Sequence, residues 1–134
     1  EGPTYPIRSI TNGKWRYIRN LSHASLYIEK HLMGKHEHNP YWSSWVFSSF
    51  SNPKHEMLVN RFMKRPAEEL YHTNEDNYEM TNLASDPTHA KIKETLATIL
   101  DQHLKDQGDP GLSLDTKKAH KAAANLTPSF QSKP

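Results

Sequence analysis

The sequence contains no cysteine, only 5 glycines in 134 residues, and no long apolar run. The absence of cysteine excludes a disulfide framework and any metal site built on thiolates. No apolar stretch is long enough to span a bilayer. The net charge is +2, from 17 basic and 15 acidic residues, without the concentrated basic character typical of nucleic-acid binders. We therefore expect neither a membrane nor a nucleic acid as a partner.

The size and composition predict one small domain with a modest core. Hydrophobic residues make up 34% of the chain and aromatic residues 10%, so the aromatic side chains must supply much of the buried surface. The chain begins at Glu1 without an initiator methionine and shows no signal peptide. These features fit a fragment or a processed chain that is stabilised by a partner surface.

A β-hairpin is predicted at the start of the chain. Residues 6–11 alternate in polarity, Asn12-Gly13 is a strong signal for a two-residue hairpin turn, and residues 15–21 form the second strand. The candidate core residues of this hairpin are Ile7, Ile10, Trp15, Tyr17 and Ile18. An isolated hairpin is marginally stable in water, so we expect it to pair with a further strand.

That further strand is predicted at residues 69–72. Leu70 and His72 fall on one face of the strand, and Glu69 and Tyr71 fall on the other. The polar residues 73–77 that follow favour a turn, because their side chains bond to their own backbone.

The most regular pattern is a helix predicted over residues 87–107. Asp86 is a helix cap, Pro87 suits the first helical position, and Gly108 with Pro110 ends the helix. The predicted apolar stripe consists of Ile92, Leu96, Ile99, Leu100 and Leu104. Asp101 and Lys105, four residues apart, form a predicted ion pair on the exposed side.

The middle of the chain predicts two shorter helices. One begins near Asn39-Pro40, and the other begins at residues 51–54 and ends before Arg65-Pro66. The predicted buried stripe of the second consists of Met57, Leu58, Phe62 and Met63. We predict an α+β fold, with a small antiparallel sheet packed against the long helix. Residues 1–112 form the domain and residues 113–134 form a polar tail.

Several segments, taken in order, resemble the C-terminal subdomain of the sulfatases, within the alkaline-phosphatase-like superfamily. They are Lys14-Trp15-Arg16-Tyr17-Ile18, then Glu69-Leu70-Tyr71, then Glu79-Met80-Thr81-Asn82-Leu83-Ala84, and then the helix start at Asp86-Pro87. The Tyr5-Pro6-Ile7-Arg8 start and the long insertion before Arg65-Pro66 are most similar to the heparan N-sulfatase (sulfamidase) group and its bacterial relatives. The resemblance covers residues 5–111, with a poorly matched segment at residues 22–64.

The resemblance implies an enzyme that hydrolyses sulfate esters or sulfamates on a sulfated sugar or polysaccharide. In that family the nucleophile is a formylglycine made within a Cys/Ser-x-Pro-x-Arg motif, and a calcium ion stabilises the sulfate oxygens. Residues 51–55 and 85–89 begin like this motif, but His55 and His89 stand where arginine is required. We therefore predict no catalytic residue and no metal ligand in this chain.

The role implied for the chain is non-catalytic. It would pack on the catalytic domain of the sulfatase, help to wall the substrate cleft, and contact sulfated carbohydrate there. The enzyme would be periplasmic or secreted by a bacterium. Two alternatives stay open: a free-standing carbohydrate- or protein-interaction module, or the tail of a related phosphohydrolase.

The candidate substrate-binding residues are Lys35, His36, His38 and Trp42. Lysine and histidine are suitable donors to sulfate oxygens. Trp42 lies three positions before Trp45, so the two share a helix face that suits either sugar stacking or packing between domains. His36 and His38 lack further ligands spaced to close a metal site. Sequons for N-glycosylation begin at Asn20 and Asn125.

Overall fold

The computed structural model describes residues 5–33, 41–113, 116, 118–119 and 121–122. Its strands are β1 (Ile7–Thr11), β2 (Trp15–Asn20) and β3 (Glu68–His72). Its helices are α1 (Lys30–Met33), α2 (Tyr41–Ser49), α3 (Pro53–Met63) and α4 (Ala90–Asp106), and short 3₁₀ turns at Pro87–His89 and Gly111–Ser113 flank α4. The strands form one antiparallel sheet in the order β1-β2-β3. The predicted α+β fold is confirmed.

The β1–β2 hairpin turns within one residue of the predicted position. Gly13 has a φ of 84°, a conformation that glycine adopts without steric cost. The Asn12 amide donates to the Trp15 carbonyl at 3.2 Å, and the Asn12 side chain accepts from the Lys14 and Trp15 amides. Pairing therefore extends to Asn12 and Trp15, and the tip of the hairpin is Gly13-Lys14, one residue later than predicted.

The sheet has two different faces. Ile10 pairs with Tyr17, and Tyr17 pairs with Leu70, so these three side chains share the first face. Ile7 and Ile18 lie on the second face, because successive residues of a strand point to opposite sides. The predicted hairpin core is thus divided between two faces. Strand β3 is buried on both, since each side chain of residues 69–72 is at most 8% exposed.

Helix α4 covers the first face. Leu96 and Leu100 are each 2% exposed and pack with Tyr17 and Leu70, while residues at either end of the helix are partly buried against this core. The prediction for Ile99 is wrong, because its side chain is 49% exposed. The buried stripe runs through positions 92, 96, 100 and 104 and leans toward position 97, which turns position 99 outward.

The ends of this helical segment are as predicted. The Asp86 side chain accepts from the Thr88 amide at 2.9 Å, and the 3₁₀ turn at Pro87–His89 leads into α4. At the other end, Gly108 has a φ of 68°, and the Asp109 amide donates to the Leu104 carbonyl at 2.9 Å. Glycine in the left-handed conformation satisfies the last carbonyls and stops the helix.

The outer edge of β3 is covered by residues 82–84. The Leu70 amide donates to the Asn82 side chain at 2.9 Å, and the Asn82 side-chain amide donates to the Glu68 carbonyl at 3.1 Å. The Leu83 amide then donates to the Leu70 carbonyl at 2.8 Å. These bonds satisfy an edge that would otherwise be free to pair with another chain.

Two arginines of the sheet bind carboxylates of the α4 region. Arg8 donates to Asp109 through two of its guanidinium nitrogens, Nε at 2.5 Å and Nη2 at 3.2 Å. Arg19 contacts Asp101 at 2.5 Å. The predicted pair of Asp101 with Lys105 is therefore replaced by a pair that crosses from helix to sheet, because the guanidinium reaches the carboxylate with two donors.

Asp109 should make the stability of the fold depend on pH. The Arg8 guanidinium, and then the Gly111 amide, hold the pKa of the Asp109 carboxyl below its ordinary value. The stabilisation is therefore complete above the unfolded pKa of about 4 and is lost as pH falls through the lower folded pKa. We expect Asp109→Asn to lower the melting temperature at pH 7, with the difference from wild type closing in acid.

The measurement is thermal unfolding by circular dichroism between pH 2 and 7. Asp106→Asn is the matched control, because the Asp106 carboxylate accepts from Gln102 in the same exposed helix and, within the described residues, forms no ion pair. Equal effects of the two substitutions at pH 7 would contradict the role given to Asp109.

Helices α2 and α3 pack against each other and stand off the sheet. Asn52 caps α3, Pro53 begins it, and it ends before Lys64, as the Arg65-Pro66 pair predicts. The predicted buried stripe of α3 is wrong. Met57 and Leu58 are 50% and 36% exposed, and none of the α3 side chains is fully buried, because nothing in the described chain covers their outer side.

Residues 34–40 lie outside the described part of the chain, as does most of residues 114–134. The predicted helix start at Asn39-Pro40 and the predicted boundary at residues 112–113 therefore stay predictions.

Candidate functional site

A groove of about 1050 Å³ opens on the second face of the sheet. Its floor contains Ile18, Glu69 and Tyr71. Helices α2 and α3 form one wall, and residues 78–82 form part of the other. The groove exists because α2 and α3 pack on each other rather than on the strands.

The floor is held by a buried hydrogen-bond network around Glu69, which is 8% exposed. Asn20 donates to one Glu69 carboxylate oxygen at 2.6 Å and also to the Pro66 carbonyl at 2.7 Å. The Tyr71 hydroxyl donates to the other Glu69 oxygen. Burial, and then this hydrogen bond, raise the pKa of Tyr71 well above its ordinary value. Both Glu69 oxygens are therefore satisfied within the protein.

The same network buries the side chain of Asn20, the first residue of a glycosylation sequon. Asn20 is 1% exposed, and its amide nitrogen makes the two bonds just described. The folded chain cannot present this nitrogen for glycosylation. The second sequon, at Asn125, lies outside the described residues.

Arg61 joins α3 to the opposite wall. Its guanidinium donates to the Glu79 carbonyl and to the Tyr71 hydroxyl at 3.5 Å, and it lies 5.9 Å from the centroid of the Tyr71 ring. The Arg61 Nη1 atom also donates to the Met80 sulfur, a weak acceptor, at 2.8 Å. Glu79 itself has a φ of 53°, and its carboxylate is bound by Arg16 at 2.7 Å. The strained residue is thus fixed from two sides.

A second guanidinium, that of Arg65, lines the groove from the end of α3. It stacks 4.2 Å from the centroid of the Tyr27 ring and 6.0 Å from that of Phe62. Among the described side chains, no carboxylate lies within ion-pair distance of Arg61 or Arg65. The described contacts of these two guanidiniums are therefore with aromatic rings and neutral acceptors.

A chain of aromatic contacts supports this wall. It runs from Tyr5 to Tyr27, Phe62, Trp42 and Trp45, with centroid distances between 5.3 and 6.3 Å. Trp42 is half-buried behind the wall, whereas Trp45 lines the groove and is 49% exposed. Trp45 is thus part of the groove lining and Trp42 is not, and the binding role predicted for Trp42 stays a prediction.

The other candidate binding residues, Lys35, His36 and His38, lie outside the described residues and stay predictions. The sequence analysis missed Arg61, Arg65 and Tyr71 as site residues. Arg65 had served as a helix-stop signal and Tyr71 as a strand residue. One signal for this site was available in the sequence. Strand β3 has large residues on both faces, which predicts that both faces of the strand are covered.

Comparison with known proteins bears on the family of the chain but not on a subgroup within it. None of the known protein-family profiles matches the chain. The chain is 32% identical over 105 residues to the "Ulvan-active sulfatase" of Formosa agariphila. The chain is related to a sulfatase. The match covers 78% of the chain and only 18% of that protein, so the chain spans less than a fifth of its sulfatase relative.

Neither segment that resembles the sulfatase nucleophile motif is built as a reactive site. At residues 51–55, Asn52 caps α3 by accepting from the Lys54 and His55 amides. His55 is bonded to Ser48 at 2.6 Å. At residues 85–89, Asp86 caps the following 3₁₀ turn. Both proline-containing segments are therefore explained as helix starts.

The described residues also supply no cluster of three or more His, Asp or Glu side chains able to hold a metal ion. Within the same ranges, no helix has both the length and the apolar content needed to cross a membrane.

Proposed function

We propose that the chain is the non-catalytic C-terminal part of a sulfatase that cleaves sulfate esters or sulfamates of a sulfated sugar or polysaccharide. The observation that carries the proposal is the 32% identity to a sulfatase over 78% of the chain. The ordered strand, tie and helix segments of the sequence support it. Tyr5-Pro6-Ile7-Arg8 supports the finer placement in the heparan N-sulfatase group.

The catalytic groups of this enzyme belong elsewhere in the polypeptide. The chain has no cysteine, and its two serine-proline segments are helix starts. The formylglycine nucleophile and the calcium ion therefore come with the catalytic domain, which is the partner we propose. We place the enzyme in the periplasm or outside a bacterial cell.

An exposed apolar surface fits this partner. Phe47 lies in the last turn of α2, Phe50 directly follows that helix, and Met57 lies in the first half of α3. They are 79%, 81% and 50% exposed, and we call them the apolar ridge. Large apolar side chains exposed in this way are typical of interaction surfaces. The sulfatase relative is more than five times as long as the matched segment, so a large body is available to cover the ridge.

The coding sequence upstream of Glu1 tests the proposal first. We expect it to encode, in frame, a Cys/Ser-x-Pro-x-Arg motif. A start codon only a short distance upstream, preceded by an in-frame stop codon, would instead favour the free-standing interaction module. An alkaline-phosphatase-like catalytic domain without the motif would favour the related phosphohydrolase.

The apolar ridge gives a second test in the complete enzyme. We expect Phe47→Ser/Phe50→Ser to destabilise the enzyme, because each phenylalanine buried against the catalytic domain contributes roughly 2 kcal/mol. The measurements are the melting temperature and the sulfatase activity. Ile99→Ser is the control, since Ile99 is exposed on the far side of α4. No difference between the ridge and control variants would refute docking through the ridge.

A further inference from the structure

We propose that the groove on the second face of the sheet binds a sulfated oligosaccharide, with Arg61 and Arg65 contacting its sulfate groups and Trp45 stacking on a sugar ring. The substrate class rests on the function proposed above. The site itself rests on the charges, rings and shape of the groove, and the argument for it uses none of the candidate residues at positions 35–38, which lie outside the described residues.

The charge distribution of the groove favours an anion. Two carboxylates and two guanidiniums line it. The Glu79 carboxylate is bound by Arg16, and both Glu69 oxygens accept hydrogen bonds within the floor. Arg61 and Arg65 have no carboxylate partner among the described residues. Together with Arg16, three guanidiniums and two carboxylates meet at the groove, so its net charge is positive.

Arg61 is fixed in position but retains unused donors. Its contacts with the Glu79 carbonyl, the Tyr71 hydroxyl and the Met80 sulfur include only one strong acceptor at short range. A guanidinium has five N–H donors in a planar fork, and a sulfate offers several oxygens to such a fork. A cation held before the ligand arrives loses little conformational entropy on binding.

Aromatic surface supplies the second element of sugar recognition. Trp45 is 49% exposed on the helical wall, and Tyr78 is 87% exposed on the opposite wall. The Trp45 ring is supported from behind by Trp42, 6.3 Å away. Rigid rings with a polar edge contribute large contact area at low entropic cost.

The dimensions and lining favour a glycan over a protein segment. A volume of about 1050 Å³ lies just above the range of about 300–1,000 Å³ for small-molecule sites, which suits an oligosaccharide. The lining carries the Glu69 carboxylate and the Arg61 and Arg65 guanidiniums, whereas the centre of a protein interface is poor in charged residues. The apolar ridge, which fits a protein partner, lies outside the groove lining.

The test is calorimetric titration of the full chain with a heparin tetrasaccharide, and with the same tetrasaccharide after chemical desulfation. We expect binding of the sulfated form only. Arg65→Gln should weaken it roughly tenfold, the size of one charge-assisted hydrogen bond. Lys64→Gln makes the same charge change at an exposed neighbour that does not line the groove, and it should have little effect. Trp45→Ala should also weaken binding, and Trp45→Phe should restore part of it.

Three results would overturn the site. They are equal weakening by Arg65→Gln and Lys64→Gln, equal binding of the desulfated sugar, and no binding by a chain shown to be folded by circular dichroism. In the last case, burial of Trp45 in the complete enzyme would assign the groove to the catalytic domain. It would be seen as an acrylamide-quenchable fluorescence that Trp45→Phe leaves unchanged. If the sulfatase motif is found upstream but the chain does not bind the glycan, only the proposal for the groove is refuted. If the chain binds the glycan but the motif is absent, only the proposed sulfatase parent is refuted.

Discussion

Leu96→Ala should lower the free energy of unfolding by about 3 kcal/mol, within the range of about 2–5 kcal/mol for such truncations in a core. Leu96 is 2% exposed and packs in the one cluster that joins α4 to Tyr17 and Leu70. Removing most of the side chain leaves a cavity that the strands cannot fill, because their own side chains are fixed by pairing. A domain this small has little stability to lose.

The control for Leu96→Ala is Ile99→Ala in the same helix. Ile99 is 49% exposed, so its truncation should change stability by well under 1 kcal/mol. The measurement is urea-induced unfolding followed by circular dichroism. Similar losses at positions 96 and 99 would mean that α4 does not bury the face described above.

Asn20→Asp should be comparably destabilising, at about 3–5 kcal/mol near pH 7, because it places a second carboxylate against a buried one. The Asn20 amide nitrogen lies 2.6 Å from a Glu69 oxygen and 2.7 Å from the Pro66 carbonyl. The substitution removes both donated bonds and leaves those acceptors unpaired in a buried site.

The pH dependence of this variant has a defined sign. Two adjacent buried carboxylates raise the pKa of the pair, so the folded variant binds more protons than the unfolded chain. Its stability should therefore recover as pH falls from 8 to 5, opposite to the trend that Asp109 gives the wild type. Asn12→Asp is the control, because the Asn12 side-chain oxygen acts as an acceptor for two amides and aspartate keeps that role. A pH-independent loss for Asn20→Asp would contradict the network.

Local sequence signals predicted much of the fold. Asn12-Gly13 located the hairpin, Asp86-Pro87 located the helix start, and Gly108 located its end, because each depends on backbone preferences of a few neighbouring residues. The alternation in β3 correctly separated the side of Leu70 from that of Tyr71. These features need no knowledge of what packs against them.

The remaining features depend on residues distant in sequence. Asp101 was assigned to Lys105 on its own helix but binds Arg19, 82 positions earlier. The α3 stripe was expected to be buried, yet Leu58 is exposed because α2 and α3 pack together away from the sheet. The groove likewise needs α3, the sheet and residues 78–82 to come together, so periodicity within any one segment could not predict it.

The closed amide of Asn20 has a practical consequence for recombinant production. In a eukaryotic host, oligosaccharyltransferase reads sequons on newly translocated chains before they fold. A glycan added at Asn20 would block the strand pairing and the contact with Glu69. A gel band whose shift on endoglycosidase treatment is assigned to Asn20 would thus identify molecules trapped outside the native state. Production in a bacterial cytoplasm avoids this loss.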